Sequence, residues 1–110
     1  MLDEQSFPLR ADEAIEALYR SLLAAADEHE LEADMNNGAL TVEFEEPPAK
    51  FVVSPNSPVR QIWVSAHSKS FKFEWNDDRA SFVLPDSGDD LKAMMGKAIS
   101  QHLGESVTLS

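Results

Sequence analysis

The chain has 110 residues, enough for one two-layer core and too few for two. Twenty acidic against 9 basic residues leave a formal charge of −11, which repels nucleic acid and anionic membrane surfaces and draws in cations and basic protein patches. The absence of cysteine excludes a disulfide framework, a thiolate metal site and a thiol nucleophile. An apolar fraction of 43% with 4 glycines and 6 prolines reads as globular. The first ten residues carry two acids before a base and no apolar run, unlike a secretory signal, and no stretch approaches the ~20 apolar residues of a membrane span. These features predict a soluble, intracellular chain, cytoplasmic unless an organelle presequence has been removed.

From the amino terminus, Ser6 is the expected cap of a first helix that carries Pro8 in its first turn. Ala11, Ile15, Leu18, Leu22 and Ala25 recur at spacings of three and four, with Ala14 beside them, and define its buried stripe. Asp12, Glu13, Glu16 and Arg20 lie opposite. After Asp27 the rhythm changes to period two: Glu28, Glu30, Glu32 and Asp34 alternate with His29, Leu31, Ala33 and Met35, the pattern of a first strand. Asn36, Asn37 and Gly38 supply a tight hairpin. On the next strand Leu40, Val42 and Phe44 face inward and Thr41, Glu43 and Glu45 outward.

Glu46 to Ala49 reads as a rigid turn before a third strand, Lys50 to Val53. Pro55 and Pro58 bracket another turn. Gln61 to Ala66 and the strand through Phe71, Phe73 and Trp75 form a hairpin across a loop of His67, Ser68 and Lys69. Ile62, Val64 and Ala66 share its inner face, which turns Trp63 outward between Gln61 and Ser65. Asn76 to Asp78 makes a turn, and Ser81 to Leu84 a sixth strand ended by Pro85. Ser87 with Asp90 resembles a capping box for a last helix, whose stripe is Leu91, Met94, Met95, Ala98, Ile99 and Leu103 and whose stop is Gly104. Val107 and Leu109 follow in a short extended tail. The order predicts a single α+β domain: a two-layer sandwich with two helices on one face of an antiparallel sheet of about six strands.

No phosphate-cradling glycine loop, paired cysteines or zinc-protease motif is present, and His29, His67 and His102 stand outside any catalytic pattern. Two features remain as candidates. The carboxylates of Glu30, Glu32 and Asp34 suit hard hydrated ions such as Fe2+, Mn2+, Mg2+ or Ca2+ in an open arrangement; a plain solvated edge explains the same pattern. An outward tryptophan suits a partner anchor or a ring covered by its neighbours.

The run Pro58, Arg60, Gln61, Ile62, Trp63, Val64, Ser65 followed by Lys72, Phe73, Glu74, Trp75, together with Asn37 to Val42 and the two helices, resembles the bacterial branch of the frataxin family over nearly the whole chain. The resemblance implies weakly bound iron (Fe2+ or Fe3+), no organic cofactor, and attachment to a cysteine desulfurase and an iron-sulfur scaffold protein. It implies a regulator or iron donor, not an enzyme, although iron oxidation is ascribed to some members. It places metal ligands at Asp27, Glu28, Glu30, Glu32, Asp34 and Glu43, and partner contacts at Asn56, Gln61, Trp63 and Lys72. A monomer is expected, with iron-dependent oligomers as the family's alternative. Two departures stand out: Leu23 to Ala26 replace carboxylates common at the end of the first helix, and Ser54 and Val59 replace asparagines. The rival function is an acidic protein adaptor without a metal role.

Overall fold

The computed structural model describes residues 3–45 and 48–109. Helix α1 spans Ser6–Ala26, and its buried residues Phe7, Ala11, Ile15, Leu18, Ser21, Leu22 and Ala25 follow the predicted stripe. Its start differs from expectation. Ser6 is already helical, and the carboxylate of Asp3 accepts from the amides of Gln5 at 3.1 Å and Ser6 at 2.7 Å. These hydrogen bonds, chiefly that from Ser6, hold the Asp3 carboxyl below its ordinary value.

The sheet is a six-stranded antiparallel meander in sequence order. Its strands are β1 (Glu32–Asn36), β2 (Ala39–Glu45), β3 (Pro48–Asn56), β4 (Gln61–Ala66), β5 (Lys69–Asn76) and β6 (Ser81–Val83). β1 begins later than the period-two pattern predicts. The amides of Glu28 and His29 both turn back to the carbonyl of Ala25, at 3.0 and 2.9 Å, so the helix unwinds through a turn that consumes Glu28 to Glu30. Asn37 and Gly38 then close β1 onto β2 with φ of 53° and 82°, the two positive values that a two-residue hairpin requires.

β3 runs past its expected end because Ser54, Pro55 and Asn56 pair only with β4. The β2 register stops at Leu40 opposite Val53, so Pro55 lies where a missing amide hydrogen costs no ladder bond on that side. Pro48 and Ala49 belong to β3 instead of the expected turn, of which Glu46 and Pro47 lie outside the described residues. A short 3-10 turn, Ser57–Val59, leads through Arg60 in the left-handed region into β4. His67 and Ser68 alone, with φ of 51° and 62°, form the β4–β5 turn, and Lys69 is already in β5.

Helix α2 (Leu91–Leu103) is capped by Asp90, whose side chain accepts from the Ala93 amide at 2.8 Å; Ser87 instead receives the amide of Asp89. Gly104, at φ 71°, ends it. Phe7, Phe51, Phe73 and Phe82 are fully buried between the helices and the inner sheet face, and Phe71 and Trp75 close the margin partly exposed. Ser100 receives the amide of Val107 at 2.8 Å, which lays the tail along α2 and buries Val107 and Leu109. Gly96 permits that approach: a Cβ there would meet the Val107 carbonyl at 3.3 Å. No helix among the described residues is long and apolar enough to cross a membrane.

Candidate functional site: an acidic edge and an open sheet face

With both helices on one side, the other side of the sheet carries the odd residues of β2 and β4 and the even residues of β1, β3 and β5. Glu32 stands directly opposite Glu43, and Glu43 opposite Lys50. Asp34 stands one step further along, opposite Thr41. Glu32, Asp34 and Glu43 are all exposed. Glu30, Glu32, Glu43 and Glu45 line a shallow hollow of about 440 Å3 with Ala26, His29, Leu31 and Phe44.

The expected ligands therefore separate into two groups. Glu32, Asp34 and Glu43 share the strand face. Glu28 and Glu30 project from the α1–β1 turn, and Asp27 is the C-cap of α1, so these three are not members of a strand row. Among the described residues, none of Glu28, Glu30, Glu32, Asp34 and Glu43 joins an ion pair; the pairs present are Arg10–Glu13, Arg20–Glu16, His29–Glu105, Arg60–Glu4 and Lys97–Asp89. Nor, among the described residues, do three or more carboxylate or imidazole groups converge closely enough to enclose a metal. The donor set fits a hydrated cation held at an open edge, where carboxylates neutralise charge without displacing every water. The end of α1 beside it presents Leu23 and Ala24 to solvent.

The four expected partner-binding residues do come together. Asn56 faces Gln61, and Trp63 faces Lys72 across the β4–β5 register. Trp63 is 37% exposed. Its indole N–H donates to Gln61 Oε1 at 2.9 Å, Gln61 Nε2 donates to Glu74 at 3.1 Å, and the Lys72 ammonium lies 5.1 Å from the indole centroid. The ring is thus fixed at its polar edge and flanked by a cation while part of its apolar face meets solvent. Glu74 completes this network and was missed in the sequence, where its outward position on β5 was the available signal.

The Frataxin-like domain family model matches residues 1–105. The chain belongs to the frataxin family. Among relatives, it is 32% identical over 112 residues to the iron-sulfur cluster assembly protein CyaY of Ralstonia nicotianae, covering 98% of this chain and 95% of that protein. The CyaY of Pseudomonas aeruginosa is 31% identical over 100 residues, covering 89% and 92%. Frataxin from Psychromonas ingrahamii superposes with a TM-score of 0.76 over 99% of both chains at 21% identity, which supports the fold. The two helices and six-stranded antiparallel sheet are those of a frataxin, as the resemblance implies.

Proposed function

We propose that this frataxin serves iron-sulfur cluster assembly as an iron-binding regulator or iron donor. It docks on the cysteine desulfurase and scaffold complex through the acidic edge and the open sheet face. The observation that carries the reading is the pairing of Glu32 with Glu43 across β1 and β2, like charges in register with no ion pair to either among the described residues, on a chain of net charge −11. Such an edge costs the fold repulsion that a bound cation or a basic protein patch relieves. Trp63, held by Gln61 and flanked by Lys72, supplies the apolar anchor beside it. Iron is cargo in this reading, exchanged at an open edge, and no catalytic role is assigned to the carboxylates. The relatives' names, which specify iron-sulfur cluster assembly, support the process to which the surface is assigned.

Replacing Glu30, Glu32, Asp34 and Glu43 together by lysine should abolish binding to purified desulfurase while circular dichroism stays unchanged. Unchanged binding would remove the electrostatic part of the proposal. The open donor arrangement also favours a second reading, an acidic adaptor without a metal role. Anaerobic Fe2+ titration separates the two: saturable heat that disappears in the lysine variant supports iron binding, and absence of saturable heat supports the adaptor.

A further inference from the structure

The acidic edge does not account for the two histidines at the turn of the β4–β5 hairpin and the last turn of α2. They are 35 residues apart in sequence, yet His67 Nε2 and His102 Nδ1 stand 3.2 Å from each other. Their rings are stacked, with centroids 5.4 Å apart and planes 28° from parallel. An aromatic floor holds both: His102 lies 4.4 Å from Phe44, and His67 meets Phe51 edge-on at 5.0 Å. His67 is exposed and His102 half-buried, and both line a hollow open to solvent. Lys69, Asp89, Lys97 and Gln101 line the adjoining hollow, and the charge of Lys97 is matched by Asp89 at 2.9 Å.

Two imidazole nitrogens bound to one Zn2+ at about 2.0–2.1 Å are separated by about 2.9–3.4 Å for bond angles of about 90–110°. The observed separation falls within that interval. We propose that His67 and His102 form a two-imidazole site for a borderline divalent transition metal, Cu2+ in preference to Zn2+, with water completing the shell. In the metal-free neutral pair one proton lies between the facing nitrogens. Binding moves it to the other nitrogen of the same ring, so both lone pairs reach the ion and no net proton is released. Imidazole suits both Cu2+ and Zn2+, the order between them follows the general rise of affinity to Cu2+ among first-row divalent metals, and the carboxylate edge suits harder ions. The site therefore stands independently of the function proposed for that edge.

The test is titration of the full chain with Cu2+, Zn2+ and Mg2+ while the ring resonances of the three histidines are followed by NMR. His67→Asn, which suits the left-handed turn position, and His102→Gln are compared with His29→Gln. Saturation near one equivalent of Zn2+, with ring shifts confined to His67 and His102, is the expected result. Each of the two substitutions should weaken Zn2+ and Cu2+ binding by about tenfold or more, as loss of one of two ligands demands. His29→Gln should leave binding unchanged. Thermal unfolding without metal verifies that the variants fold. Equal Zn2+ affinity in the folded His67→Asn or His102→Gln protein, loss of binding in His29→Gln, or equal ring shifts with Mg2+ would overturn the assignment.

Discussion

Glu32→Gln should make the fold more stable, by an amount that salt can switch off. Glu32 lies on edge strand β1, where its directly opposed neighbour is Glu43, so neutralising it removes repulsion without removing a cross-strand attraction. For exposed carboxylates about 7 Å apart and an effective dielectric of about 60–80, the unscreened repulsion is about 0.6–0.8 kcal/mol. A Debye length of about 30 Å at 0.01 M leaves ~0.5 kcal/mol, and about 3 Å at 1 M leaves less than ~0.1 kcal/mol. With an unfolding entropy of about 2.1 cal/mol/K per residue, the low-salt gain raises Tm by about 2 °C. Glu43→Gln should gain less, because Glu43 also faces Lys50 and loses that attraction. Differential scanning calorimetry of the parent and both variants at the two salt concentrations measures all of this. A Glu32→Gln protein that is no more stable at low salt, or whose gain persists at 1 M, refutes the account of the edge as uncompensated charge.

Three further outcomes are expected. Trp63→Ala should change stability by less than ~1 kcal/mol, since the ring lies on the exposed face, yet weaken capture by immobilised desulfurase and scaffold; urea titration and binding measured together separate the effects. Asp90→Ala removes the acceptor for the Ala93 amide and should cost ~1 kcal/mol, or about 4 °C in Tm by thermal denaturation. Asp3 and Asp89 titrate below their ordinary value of 3.8, Asp3 chiefly through the Ser6 amide and Asp89 chiefly through its hydrogen bond to Lys97. A lowered folded pKa gives stability that is complete above the unfolded value and lost as pH falls through the folded one. Asp3→Asn and Asp89→Asn should therefore be less stable than the parent at pH 6, with differences that shrink below about pH 4 in urea titrations.

The stripes of both helices and the inward residues of β2 and β4 were legible because burial imposes a period on the chain. The extent of β1 was not: Glu28 to Glu30 keep a two-residue alternation, but the Ala25 carbonyl captures two successive amides and prolongs the turn. The cap of α1 was misplaced for a related reason, since a serine cap signal at position 6 competed with an aspartate three residues earlier that reaches two amides. Trp63 and Gln61 could be assigned to the outer face from alternation, and their hydrogen bond depends only on neighbouring positions. His67 and His102 carried no comparable signal. Their approach depends on how far α2 runs across the sheet, which local spacing does not encode.

Strand order that follows sequence order lets each of the five sheet pairings form between chain neighbours, whereas α1 must wait for the opposite end of the polypeptide before Phe7 can rest against Phe82. During synthesis the stripe of α1 can therefore meet β1, β2 and β3 early, while its Phe7 end stays uncovered until β6 and α2 arrive. Vectorial growth makes that interval the period of greatest exposure to aggregation, and faster elongation through the final third of the message should shorten it.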